Sequence, residues 1–101
     1  MEAKAARHRL GEGGLMSHLP KMHYVYLLVS HRSPAHHYVG FTSNLKNRLT
    51  SHNAGKNPST ATNRPWNLAG YFAFPDEQKA RAFEIYLKSG SGRTFAKRHF
   101  Y

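Results

Sequence analysis

Cysteine is missing from this chain altogether, which excludes disulfide stapling and thiolate metal ligation and leaves the redox compartment open. Acidic residues are scarce: five Asp and Glu face fifteen Lys and Arg, for a formal net charge of +10. Beyond Lys21 only Asp76, Glu77 and Glu84 remain, so a divalent metal held by the folded part must use one of those three carboxylates. Long apolar runs are lacking as well. No stretch nears the ~18 residues that span a bilayer, and Met1 to Lys21 has no apolar core of roughly 7 to 15 residues such as a secretory signal carries. A cytoplasmic protein without a membrane anchor is the expectation. The surplus of cations favours a polyanionic partner such as nucleic acid, with a basic protein bound to ribosome or membrane as the blander option.

What is present suffices for one small core. The 101 residues, 40% hydrophobic and 13% aromatic, are too few for two domains. Residues 1–21 hold Gly11, Gly13, Gly14 and Pro20 with scattered charge and no periodicity, so they read as a flexible N-terminal extension; Met16 and Met22 are alternative starts. The folded domain is expected over residues 22–101. His23 to Val29 is β-branched and aromatic without polar alternation, as in a central strand buried on both faces. After the turn residues Ser30 to Ala35, His36 to Phe41 returns as a second, antiparallel strand. Whether Tyr26 and Tyr38 share a face depends on register, because a slip of one residue inverts one of them.

The stretch Tyr38-Val39-Gly40 runs into Ser43-Asn44, which offers a helix cap, and then into Leu45, Arg48, Leu49 and His52 at i, i+3, i+4 and i+7. A helix is expected from Ser43 to about Asn53, stopped by Gly55. Lys56 to Pro65, with Asn57-Pro58 and several Ser and Thr, reads as an exposed loop rather than an element. Trp66 to Phe74 restores strand character. Pro75-Asp76-Glu77 opens a helix running to about Lys88, with acids placed well for its dipole. Gly90 and Gly92 read as breakers, and Thr94 to Phe100 has the composition for one short final helix that lays Phe95 and Phe100 on the core. The expected order is β-β-α-β-α, an α+β fold with a three-stranded antiparallel sheet flanked by helices.

Several side chains carry two readings. Tyr26 and Tyr38, taken singly, are ordinary strand aromatics. Arg48 and His52 lie one turn apart beside Leu45 and Leu49, which turns them toward the core side, so a solvated face and a phosphate site weigh about equally. Glu84 joins the helical face of Ala80, Phe83 and Leu87, where a carboxylate is unexpected; an edge position paired with Lys88 and Arg81 is the plainer account. His31, His36 and His37 flank a turn with no carboxylate or thiolate nearby, a poor zinc set. Lys56, Arg64, Lys88 and Arg93, with Lys97 and Arg98, form no dense run and are either solvated surface or phosphate contacts.

These residues together resemble the GIY-YIG nuclease family, in its small single-domain bacterial branch, over Met22 to Tyr101. The family's first motif falls on Tyr24-Val25-Tyr26 and its second on Tyr38-Val39-Gly40; its helix arginine falls on Arg48, the residue one turn later on His52, and its metal-binding glutamate on Glu84. The phrases Gly40-Phe41-Thr42-Ser43, His52-Asn53-Ala54-Gly55-Lys56 and Tyr86-Leu87-Lys88-Ser89-Gly90 are similar to the same branch. Tyr24 stands where the name motif begins with glycine, and the family's late asparagine is not evident.

The resemblance implies metal-dependent hydrolysis of phosphodiester bonds in DNA, with RNA left open, as in excision-repair and homing endonuclease modules. Glu84 would hold Mg²⁺ or Mn²⁺, Tyr26 would act as general base, Arg48 would brace the phosphate, and Tyr38 and His52 would orient groups or share proton transfer. Lys56, Arg64, Lys88 and Arg93 would contact the nucleic-acid backbone. One site per chain implies nicking unless a homodimer forms, and so small a domain leaves room for a partner protein that supplies specificity. The reading from another class is a non-catalytic nucleic-acid or ribosome-associated binding module on the same scaffold.

Overall fold

A computed structural model describes residues 20–101. The expectation for residues 1–21 therefore lies, for residues 1–19, outside the described part. The elements are β1 (His23–Ser30), β2 (His37–Thr42), α1 (Leu45–Asn53), α2 (Pro58–Ala61), β3 (Trp66–Phe74), α3 (Glu77–Lys88) and α4 (Gly90–His99). The strands form one antiparallel sheet in the order β2-β1-β3, flanked by helices, as the α+β reading requires.

The continuous apolar run of β1 follows from its central place. Val25, Tyr26, Leu27 and Leu28 are each at most 1% exposed, because the period-2 alternation sends successive side chains into two different cores. Val25 and Leu27 pack with Ala80 and Leu87 of α3 and Ala96 of α4, and Phe72, Phe83, Phe95 and Phe100 close around them. Tyr26 and Leu28 face the other way, into Trp66, Tyr38, Leu45 and Leu49. Burying each large apolar side chain stabilises the fold by about 1.5–3 kcal/mol, so both layers contribute to holding the sheet. Phe100 sits where a side chain on Gly70 would otherwise stand.

The register answers the question of faces. Tyr26 pairs with Gly40 and Leu28 with Tyr38, so Tyr26 and Tyr38 project from the same side of the sheet. Helix α1 begins at Leu45 after Asn44, whose side chain accepts from the Asn47 amide, and Gly55 follows its end with φ +77.

Two expectations are corrected. Lys56 to Pro65 is not wholly a loop, since it contains α2: Asn57 caps the Ser59 amide, and Pro58 occupies a first-turn position where its missing N–H costs nothing. Nor do Gly90 and Gly92 break the chain before a helix at Thr94. Helix α4 already starts at Gly90, capped by the Ser89 hydroxyl on the Gly92 amide, and runs to His99. Gly92 is buried because α4 crosses the end of α3 closely; a Cβ there would overlap the Tyr86 carbonyl. A close backbone approach outweighs the helix-propensity cost of glycine at that position.

Candidate active site

The site is organised by the Tyr26–Gly40 pair across β1 and β2. Gly40 lies inside β2 rather than at a turn, and its missing side chain leaves the space that the Tyr26 hydroxyl and ring tip fill. At the first position of the name motif no glycine is needed: Tyr24 sits in regular strand opposite Thr42 and Ala73 and meets the Tyr71 ring edge-on, with 5.9 Å between centroids.

From this position the Tyr26 hydroxyl reaches His52 Nε2 at 2.8 Å, and His52 Nδ1 lies 2.8 Å from Thr60 Oγ1. His52 is fully buried, as the last turn of α1 directs it under the sheet. Tyr38 packs its ring edge against the imidazole, with centroids 5.0 Å apart, and also leans on Trp66. Trp66 is itself clamped. The Asn53 side chain accepts from its amide (2.6 Å) and donates to its carbonyl (3.1 Å), while its indole N–H donates to the Thr60 carbonyl (2.9 Å).

The environment sets the charge states. Burial, with a smaller contribution from Tyr38, pushes the Tyr26 phenol up to about 12, against the hydrogen bonding and positive charge of Arg48; Glu84 acts upward. Burial holds the His52 imidazole below its ordinary value, and the Arg48 charge acts in the same direction. Tyr26 and His52 are therefore both neutral at pH 7. The structure brings Tyr26, Tyr38 and His52 into mutual contact, while Arg48 and, least, Glu84 act on the Tyr26 phenol through their charge.

Glu84 is partly buried, with its side chain 18% exposed, and its Oε2 accepts from Lys88 Nζ at 3.0 Å. The expected second partner is corrected: Arg81 pairs with Glu77 instead, at 3.0 Å, and stacks its guanidinium over Phe41, 4.1 Å from the ring centroid. Asp76 caps the Gln78 and Lys79 amides. Of the three described carboxylates, Glu84 is the one whose charge acts on the Tyr26 phenol.

The cations expected to meet nucleic acid divide into groups. Lys56 joins Arg48 and Ser51 in a shallow cleft of about 370 Å³. Lys88 and Arg93, together with Lys97, line a larger groove of about 600 Å³ that runs along the outer edge of β2 past His36 and Tyr38. Arg64 turns back on its own loop, donating to the Ala61 carbonyl at 2.9 Å. Two residues escaped the sequence reading, Thr60 and Asn53. Asn57-Pro58, a cap followed by a first-turn proline, was the available signal that α2 exists and that Thr60 lies on a structured element.

A family profile described as the GIY-YIG catalytic domain matches residues 22–98, and the chain belongs to the GIY-YIG family. Membership places it among nuclease catalytic domains, whose substrates are nucleic acids. It is 32% identical over 72 residues to the UPF0213 protein BH0048 of Halalkalibacterium halodurans, an alignment spanning 70% of this chain and 74% of that one. The solution NMR structure of the UPF0213 protein BH0048 from Bacillus halodurans aligns over 76% of this chain and 83% of its own, with 28% identity and a TM-score of 0.47. Among the described residues, no helix is long and apolar enough to cross a membrane.

Proposed function

We propose that this chain is a metal-dependent endonuclease that hydrolyses DNA phosphodiester bonds and nicks one strand at each site. The observation that carries the reading is the Tyr26 hydroxyl held 2.8 Å from a buried, neutral His52, with Arg48 and Glu84 acting on the same phenol. A protonated phenol is a poor base by itself. It becomes an adequate one when it hands on its own proton while receiving another.

In the proposed reaction a water oxygen bonds to phosphorus as its proton moves to Tyr26 Oη, and the Tyr26 proton moves to His52 Nε2. The bond to the 3′ oxygen breaks, that oxygen takes a proton from solvent, and the His52 imidazolium releases its own. Arg48, a planar donor fork, braces the charge that gathers on the phosphate. Tyr38 fixes the imidazole plane by edge contact.

Glu84 fits a hard dication: a carboxylate oxygen is the right donor type, Mg²⁺ retains several waters beside one or two carboxylates, and an ammonium already rests on the same oxygen. Glu84 would hold Mg²⁺ or Mn²⁺, whose chemistry when bound is to polarise the scissile phosphate and stabilise the departing 3′ oxygen. The test uses an end-labelled DNA duplex, and an RNA of the same sequence, with Mg²⁺ or Mn²⁺. Products ending in 5′-phosphate and 3′-hydroxyl support the reading, and intact strands in both metals oppose it.

The β2-edge groove favours a second reading, a module that binds nucleic acid without cutting it. Binding that weakens with salt and with loss of Lys88 or Arg93, in a protein that cuts nothing and is indifferent to Glu84→Ala, would identify it.

A further inference from the structure

A neutral imidazole carries one N–H, and the nitrogen that bears it decides whether Nε2 can accept a proton from Tyr26. The contacts around His52 choose between the two tautomers. The Thr60 hydroxyl carries one proton, and it is directed to the Asn57 carbonyl, so Oγ1 is left to accept on its other side. His52 Nδ1, 2.8 Å from that oxygen, is then the donor, and the Tyr26 phenol donates to Nε2 at 2.8 Å. With Nε2 accepting, the imidazole proton must sit on Nδ1, where Thr60 Oγ1 stands 2.8 Å away. The Thr60 hydroxyl accepts it and turns its own proton to the Asn57 carbonyl, 3.4 Å distant.

We propose that Thr60 is a positioning residue that holds His52 in the Nδ1–H tautomer and so keeps Nε2 open to the Tyr26 proton. The inference rests on the proton exchange between Tyr26 and His52 set out above. Thr60 is built in for the task. It is fully buried, its amide bonds to the Asn57 carbonyl at 3.1 Å, and its own carbonyl receives the Trp66 indole N–H at 2.9 Å. A β-branched side chain also has few rotamers, which keeps the hydroxyl on the imidazole. The short helix α2 thereby acquires a role in the site.

The test compares the full chain with Thr60→Val, which keeps the shape and removes the hydroxyl, and with Thr60→Ser, which restores it. Long-range ¹H–¹⁵N NMR of the His52 ring reads the tautomer directly, without any nuclease assay. The expected wild-type spectrum has a protonated Nδ1 and an unprotonated Nε2. Thr60→Ser keeps that pattern, and Thr60→Val loses it or mixes it with the other tautomer. In cleavage, kcat should fall about 10- to 100-fold in Thr60→Val with little change in KM, and recover in Thr60→Ser. A wild-type His52 protonated on Nε2 overturns the inference, as does a folded Thr60→Val with unaltered tautomer. If Thr60→Val does not fold, the wild-type and Thr60→Ser spectra still decide. If the spectra are as expected but no chain cuts DNA, the tautomer assignment stands and the nuclease reading is the part that has failed.

Discussion

The Tyr26 hydroxyl occupies the space in which a side chain at Gly40 would stand, one strand away in the same register pair. The glycine of the second motif is thus explained by the tyrosine of the first, through a contact between neighbouring strands. A methyl group at position 40 has to displace a ring that is 1% exposed and tethered to His52. Gly40→Ala is expected to destabilise the protein by about 1–3 kcal/mol. It should also break the bond from Tyr26 to His52, measurable as a lower urea midpoint and a changed His52 ring spectrum.

Tyr26→Phe removes one hydroxyl and leaves His52 Nε2 buried without a partner. The expected cost is about 1–3 kcal/mol in urea unfolding, since an unsatisfied buried acceptor loses its solvation without recompense. Loss of a general base should lower cleavage by about 10²- to 10⁴-fold. Unchanged stability would mean that the hydrogen bond contributes nothing in solution.

Acid should weaken the fold through His52. Its folded pKa is depressed, so the unfolded chain binds the proton more readily; the contribution is present above the ordinary value near 6.5 and is lost as pH falls through the lowered one. His37, lowered mainly by burial, adds in the same direction. The groups facing His52 are Tyr26, Tyr38, Arg48 and Thr60, none of them a carboxylate that would favour the imidazolium. At the other extreme Tyr26 and Tyr101 are both raised to about 12, so the stability they contribute is present below pH ~10 and declines toward pH 12. Urea midpoints from pH 4 to 8 should rise and those above pH 10 should fall, with the acid slope reduced in His52→Gln.

The groove along the β2 edge should carry part of the nucleic-acid affinity. Arg93→Ala and Lys97→Ala are expected to weaken DNA binding and to lower the slope of log affinity against log salt by about 0.7–0.9 for each phosphate that is no longer neutralised. Arg64→Ala, a residue turned onto its own loop, should leave the slope unchanged. Fluorescence anisotropy over a salt series measures both.

How much of the molecule is readable from the residue order depends on the distance over which each feature is determined. The strand β1 is evident because its pattern is local: a run from Tyr24 to Val29 with no polar break fits only a position covered on both sides. Helix α1 is marked by Asn44 and the spacing of Leu45, Leu49 and His52. The start of α4 is not, because the reason for Gly92 is the carbonyl of Tyr86, which crosses it from another helix. Asn57-Pro58 carries turn and helix-start signals alike, and burial of Thr60 under His52 decides between them. At the site, the resemblance to the GIY-YIG motifs is what brings forward Tyr26, Tyr38, Arg48, His52 and Glu84. The relation of Tyr26 to Tyr38 needs the strand register, and Thr60 needs the return of the chain after α1.

The most direct test of the proposed chemistry is nicking of supercoiled plasmid in Mg²⁺ or Mn²⁺ by the wild type, Tyr26→Phe, Arg48→Ala and Glu84→Ala, each first shown to be folded. The wild type is expected to convert supercoiled to open-circular DNA, a chelator to stop it, and each variant to be slower by about 10² or more. A wild type as inert as its variants, or a Glu84→Ala protein that cuts at the wild-type rate, would contradict a metal-dependent nuclease built on these residues.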